Sequence, residues 1–289
     1  MKIKYSNQHI VSKVMRLATF VLFAGRAWQH LFWDAPFRAL LWDKDIMEGL
    51  VLFFSGGTWQ EYVTSASTDH FIQTTIVGFG VFYAFMALLT LFIKKHSKLF
   101  LVFYILSSLA LAFLAFLYCK EKFYHIGQFL EYSIQVFLPL FFYYHLTEKI
   151  TPEKLVLFLK ITIALTFSAH GLYAIGFYPQ PGVFVDMLIN ILHLSEATAK
   201  AFLVVAGVLD FVLAVAIFIP RIAKYALIYA ALWGGLTALA RVWANFYWVF
   251  ALDSLHQHLH ETLYRLPHML VPLAVLFLSY AVLKKQNEL

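Results

Sequence analysis

The amino-acid sequence predicts an all-α, polytopic membrane protein of eight transmembrane helices, arranged as two parallel four-helix repeats. Three observations lead there. Hydrophobic residues make up 62% of the 289-residue chain and charged residues 13%, with a mean hydropathy of +0.74, well outside the composition of a soluble domain. Nearly uncharged runs close to the ~20 residues that cross a ~30 Å hydrocarbon layer recur along the whole chain, leaving no room for a large soluble domain. Finally, stretches of the first half reappear in the second.

Spans are expected near residues 17–33, 71–93, 99–118, 126–146, 158–176, 200–219, 225–248 and 262–283. The first follows Lys2, Lys4, Lys13 and Arg16 and has no small-residue cleavage site after it, so it reads as a retained span and not a signal peptide. After it comes DAPFRALLWDKDIMEGLVLFF, an amphipathic piece too short to cross. It is expected to lie along the outer interface, with Trp42 and Trp59 as aromatic anchors. FIKKHSK (92–98) joins the second and third spans, and FIPRIAK (218–224) joins the sixth and seventh. A second interfacial piece, YPQPGVFVDMLINILHL, follows the fifth span, and the polar stretch HQHLHETLYRLPH (256–268) opens the eighth.

The basic residues set the orientation. With the N-terminus inside, Lys2, Lys4, Lys13, Arg16, Lys94, Lys95, Lys98, Lys149, Lys154, Lys160, Arg221, Lys224, Lys284 and Lys285 are cytoplasmic, whereas only Arg38, Lys44, Lys120, Lys122 and Lys200 fall in outer loops. This asymmetry predicts cytoplasmic N- and C-termini in a bacterial inner membrane. The formal charge of +6 is then a topology signal, and no nucleic-acid partner is expected. The lone Cys119 excludes an internal disulfide and a CxxC redox pair, and it reads as a packed thiol.

The repeat is most visible where HIGQFLEYSIQVFLPL (125–140) sets beside HLHETLYRLPHMLVPL (258–273). This pairs His125 with His258, Gln128 with Glu261, Gln135 with His268, and Pro139-Leu140 with Pro272-Leu273. The second copy carries a few extra residues before its fourth helix. Two units result, 1–150 and 151–289. Four spans per unit make the repeats parallel, related by an axis along the membrane normal.

A charged side chain at a helix centre costs about 2.5–3.5 kcal/mol on insertion scales, so intramembrane polar residues are functional candidates. At 100° per residue, Arg26 and His30 share a face of the first helix in its outer half. His125, Gln128 and Gln135 line a stripe of the fourth, with Glu131 at its margin, and His258, Glu261, Arg265 and His268 line the eighth. His170 lies in the outer half of the fifth span, and Arg241 with Asn245 in the outer half of the seventh. At ~1.5 Å per residue, Gln135 and His268 lie roughly 10–15 Å below the outer surface, too deep to snorkel. The set therefore predicts a polar pocket open to the periplasm. Asp210, at the middle of the sixth span, is expected either to pair with Arg241 or Arg26 or to be held protonated.

Metal binding is the weaker fit. His256 and His260 have the i, i+4 spacing of a helical ligand pair, but they project away from the stripe. His258, Glu261 and His268 share a face, yet Arg265 in their midst disfavours a transition metal or haem and suits an anionic or carbonyl oxygen. Pro267 and Pro272 are expected to bend this helix.

Residues 201–240, AFLVVAGVLDFVLAVAIFIPRIAKYALIYAALWGGLTALA, resemble the DoxX-like family of four-span bacterial membrane proteins. The resemblance rests on Gly207 to Asp210, with aspartate where glutamate is usual, and on the basic turn from Pro220 to Lys224. The first unit has Ala84 where the second has Asp210. Members are associated with thiosulfate:quinone oxidoreductase subunits and redox-linked complexes, and distant relatives act as membrane chaperones or trafficking receptors. The resemblance implies a range of functions.

The leading expectation is a membrane redox component whose pocket binds a quinone or small oxidisable substrate, with Trp28, Trp33, Trp243 and Trp248 as aromatic walls and a redox partner protein carrying electrons. The alternatives are a non-enzymatic binding or assembly factor gripping a lipid, peptide or client protein, and a small-solute transporter. The topology is directly testable: a green fluorescent reporter fused at either terminus is expected to fluoresce and a phosphatase reporter to stay inactive, and the opposite pattern overturns the orientation.

Overall fold

A computed structural model describes residues 2–93 and 97–287, with side chains for 9–93 and 97–280. Lys94 and Lys95, and the side chains of Lys2, Lys4, Lys284 and Lys285, lie outside the described residues. Among those described, every regular element is helical. In chain order they are α1 (Lys2–Phe32), α2 (Arg38–Leu41), α3 (Lys44–Ser55), α4 (Trp59–Thr64), α5 (Ala66–Phe92), α6 (Lys98–Glu121), α7 (Ile126–Glu131), α8 (Ser133–Leu146), α9 (Pro152–Ala174), α10 (Gly182–Leu192), α11 (Glu196–Ala216), α12 (Ala223–Trp243), a 3₁₀ turn (Trp248–Phe250), α13 (Ala251–Arg265) and α14 (Pro267–Asn287).

Among the described residues, six stretches are long and apolar enough to cross a membrane: α5, α6, α9, α11, α12 and the Trp248–Tyr280 run that holds α13 and most of α14. The chain is a multi-pass membrane protein. Two expected spans are absent from those six. In α1, basic residues of the first half and Arg26 dilute an otherwise apolar helix, and the 126–146 stretch is divided at Tyr132, leaving α8 with 14 residues. The seventh expected span stops at Trp243, short of 248, and the eighth begins earlier, because α13 starts at Ala251 and carries residues 256–265 of the HQHLHETLYRLPH stretch.

Helix starts follow local chemistry. Ser97 caps α6 through Leu99 N, Thr151 caps α9 ahead of Pro152 at the first helical position, and Ser195 caps α11. At the outer side Asp43 caps α3 and also binds Lys120 near the end of α6, pinning the short helices to the bundle; the ammonium holds the Asp43 carboxyl below the usual carboxylate range.

α1 runs through the middle of the bundle, packed against α5, α8, α13 and α14. Its partners meet it at glycines. A Cβ on Gly25 would lie 2.6 Å from Tyr264 N, and one on Gly80 would lie 2.9 Å from Leu31 Cγ. α9 and α11 approach equally closely, since a Cβ on Gly171 would stand 3.0 Å from Gly207 O. Lipid supplies no hydrophobic drive between helices, so such small-residue contacts do the work of close packing. The main core joins Phe23, Tyr83, Tyr104 and Phe142 from the first half to Ile163, Leu213, Val271 and Val275 from the second, with smaller clusters around Phe37 and Ile76 and around Val185 and Leu203. Val205, Val208, Val212 and Val215 of α11, and Leu232, Leu236 and Leu239 of α12, stay exposed at helical spacing as a lipid-facing surface.

The two broken helices are built differently. In the first, the break at Tyr132 occurs without a proline. The Ile134 N–H donates to Thr166 Oγ of α9 at 3.2 Å, while the Leu130 carbonyl accepts from Ser133 Oγ at 2.7 Å. In the second, Pro267 sits just past the break at Leu266 and has no N–H to place. Proline is thus one of two routes to the same bend.

A valine at Gly25 is expected to destabilise the protein by about 1–3 kcal/mol through backbone displacement, read as a lowered thermal midpoint in detergent. Gly78→Val, at a position with nothing within 4 Å, serves as the control; equal losses in both variants would refute the packing argument.

Candidate functional site

The half of the bundle that carries the short helices α2–α4 and α10 buries a polar cluster in two parts. The first surrounds Arg26, which has no exposed surface. Its Nε and Nη2 donate to Gln135 Oε1 at 3.1 and 2.6 Å, and Nη1 donates to Gln29 Oε1 at 2.7 Å. Gln29 Nε2 in turn donates to Tyr118 Oη at 2.6 Å. The guanidinium lies 3.8 Å from the ring centroid of Tyr264, 5.1 Å from that of Tyr132 and 5.9 Å from that of Tyr118. No carboxylate among the described residues pairs with it. Its charge is held by amide oxygens and aromatic faces from α1, α6, α8 and α13. His30, one turn on, bonds the Arg26 carbonyl through Nδ1 at 2.7 Å and packs edgewise on Tyr83.

The second part lies between α7, α9, α12, α13 and α14. Arg265 pairs with Glu131 and Arg241 with Glu261, each at 3.5 Å. Gln128 Nε2 donates to Glu131 Oε2 at 3.2 Å. His170 and His268 meet edge to face at 5.5 Å, and Phe184 of α10 covers both His170, at 6.5 Å, and the Arg241 guanidinium, at 5.5 Å. Arg241, Arg265, His170 and His268 lie within electrostatic reach of one another. Several buried atoms here have no hydrogen-bond partner: Arg241 Nε, Arg265 Nη1, His268 Nε2, His125 Nδ1 and Tyr173 Oη. Such density is unusual, because buried polar groups are nearly always satisfied.

Of the residues singled out from sequence, Arg26, Gln135, Gln128, Glu131, His170, Arg241, Glu261, Arg265 and His268 come together. His125 sits at the margin, stacked on Tyr178 at 4.4 Å, and His258 is half-buried near the outer end of α13. Asn245 does not reach the cluster; its side chain donates to the Arg241 carbonyl at 2.9 Å and closes its own helix. Asp210 does not take the first of its two expected states. It pairs with neither Arg241 nor Arg26, both of which are engaged elsewhere; its buried carboxyl faces the Trp233 indole, with Oδ1 unpartnered. Gly80 rests on His30 and Leu31, and Tyr83, one turn further on, has a buried hydroxyl without a hydrogen-bond partner.

His256 and His260 do not project into unused space. Their face of α13 docks on α1, where Trp33 contacts both rings and His260 is buried. Trp243 and Trp248 are no pocket walls, at 73% and 86% exposure. Among the described residues no three His, Cys, Asp or Glu side chains converge as metal ligands. An outer groove of about 480 Å³, lined in part by Gln180 and Lys200, lies away from the cluster. Cys119 is buried and donates to the His125 carbonyl.

Sequence reasoning missed Gln29, Tyr118, Tyr173, Tyr264 and Phe184. Gln29 was accessible from its i+3 spacing to Arg26. The tyrosines belong to helices whose mutual rotation no spacing rule reveals.

The chain matches no protein-family model, and no curated protein or solved structure matches it. The site therefore rests on its own geometry.

Gln135→Leu leaves the buried guanidinium short of its main acceptor and is expected to lower stability by about 2–3 kcal/mol. Adding Arg26→Met should recover part of that loss, because both partners are then apolar. Thermal unfolding of Gln135→Leu and of the double variant checks this; a double variant no more stable than Gln135→Leu alone would contradict it.

Proposed function

We propose that this chain is an eight-span inner-membrane protein of two parallel four-helix units, with α1 and the α7–α8 pair as the further two spans and both termini cytoplasmic. Its polar cluster, open toward the periplasm, binds a quinone or a small substrate of a quinone-linked redox reaction. The pairing of elements supports the duplication: α1 packs on α13 and α14 as α9 packs on α7 and α8, and the fourth helix of each unit breaks at Tyr132 and Leu266, within one residue of equivalent positions. The DoxX-like resemblance of residues 201–240 supports both the four-span unit and the redox association.

One observation carries the ligand reading. Arg241 Nε, Arg265 Nη1 and His268 Nε2 are buried, unpartnered and grouped in one part of the cluster. A quinone carbonyl, or the oxygen of another small molecule, supplies the missing acceptor. Glu131, Glu261, His170 and His268 are the groups available to exchange protons with the bound molecule. No metal or cysteine pair of this chain carries electrons in this scheme, so a partner protein or the quinone pool does.

A second reading, a binding or assembly factor, has its own support. Tyr247, Trp248, Val249, Phe250 and Leu252 form a run exposed at 62–86% beside the outer end of α12, apolar surface of the kind that meets lipid or a client protein.

Mass spectrometry of solvent extracts from the purified protein, followed by titration with a short-tailed ubiquinone, tests the first reading. Retained or saturably bound quinone is expected, with affinity reduced about tenfold or more in Arg265→Gln. Protein that neither retains nor binds any quinone overturns it.

A further inference from the structure

A groove opens away from the polar cluster, where α9 ends and α11 begins. Ile175 and Gly176 follow the last turn of α9, Lys200, Ala201 and Val204 belong to the first turns of α11, and Gln180 of the intervening loop completes the lining, around a volume of about 480 Å³. That lies within the ~300–1,000 Å³ range of small-molecule sites. The opening has a local cause. Gly176 turns the chain off the end of α9 at φ +84°, a conformation other residues rarely adopt, and a Cβ placed there would meet nothing nearer than Gln180 Cγ at 4.0 Å. Gln180 Nε2 donates to the Ala174 carbonyl at 2.6 Å, which leaves the amide oxygen as an acceptor.

The groove continues into the lipid-facing surface. At ~100° per residue, Val204, Val205, Val208, Val212 and Val215 share roughly 100° of arc with Ala201, and all five valines are exposed. At ~1.5 Å per residue the stretch from Val204 to Val215 is about 16 Å long, close to one leaflet of a ~30 Å hydrocarbon layer. At its polar end Lys200 and Glu196 form an i, i+4 pair with side chains 52% and 66% exposed, their Cβ atoms about 5–6 Å apart. Exposed pairs are weakly held, so both charges can face a ligand. An anionic headgroup meets Lys200 but is repelled by Glu196, whereas a zwitterion is matched by both. Its cation needs N–H groups for the Glu196 carboxylate and the Gln180 amide oxygen, and a quaternary ammonium has none.

We infer that this groove binds a phospholipid with a phosphoethanolamine headgroup, its phosphate on Lys200, its ammonium on Glu196 and the Gln180 amide oxygen, and one acyl chain along the α11 valines. The site is separate from the polar cluster and stands whether or not that cluster binds a quinone.

The test is native mass spectrometry of the full chain in detergent, titrated separately with phosphatidylethanolamine, phosphatidylcholine and phosphatidylglycerol of identical acyl chains. A single saturable phosphatidylethanolamine adduct is expected, about tenfold tighter than that of either other lipid. Lys200→Gln should weaken it about tenfold, and Glu196→Gln should abolish the preference over phosphatidylglycerol. Ala201→Trp, at an exposed position, fills the groove while keeping both charges and should remove the adduct. Lys44→Gln breaks a comparable exposed pair, with Glu48 on α3, and should change nothing. Equal affinity for the three lipids overturns the inference, as does tighter binding of phosphatidylglycerol. So does an adduct that survives Ala201→Trp, or one that Lys44→Gln weakens as much as Lys200→Gln does.

Discussion

Burying the Arg26 guanidinium inside a membrane protein is the constraint around which this half of the bundle is organised. Such a charge is tolerated only where acceptors and π-faces surround it. No single helix supplies enough of them. Gln29 comes from α1 itself, Tyr118 from α6, Gln135 from α8 and Tyr264 from α13, so both halves of the chain must assemble before the arginine is satisfied. The aromatic cage and the glutamine pair thus act as a registration device, fixing the heights of four helices relative to one another.

The close helix approaches depend on the same arrangement. Gly25 precedes Arg26 directly, and the backbone of α13 presses on it at Tyr264 and His260. The glycine admits α13, and the admitted helix delivers the tyrosine ring that covers the guanidinium. On the other side Gly234 admits the backbone of α14 at His268, the residue whose ring meets His170. Small residues and polar residues alternate along these seams because one lets the helices near and the other holds them there.

Much of this was legible from the chain alone. Composition and apolar run length identified a multi-pass helical protein, and the one-sided distribution of Arg26, Gln135, Glu131, Arg241, Glu261, Arg265 and His268 located the cluster, because intramembrane charge is expensive wherever it occurs. What was not legible concerns rotation and partner choice. Of the two states expected for Asp210, pairing with an arginine is not the one found, because Arg241 is taken by Glu261 and Arg26 by amides; spacing along one helix could not choose between them. His256 and His260 were placed off the polar stripe correctly as an angle, but the angle did not say that this face would meet α1. The break at Tyr132 left no mark in the sequence, since the hydroxyl that satisfies Ile134 belongs to another helix.

That hydroxyl separates the two halves mechanically. At Ile134 the backbone amide survives and is merely on loan to Thr166, so exchanging a side-chain oxygen for the Leu130 carbonyl would rejoin α7 and α8 as one continuous rod. At Pro267 no such exchange exists, and the elbow is permanent. The first half therefore carries a break whose missing backbone bond can form again, and the second a break whose bond cannot.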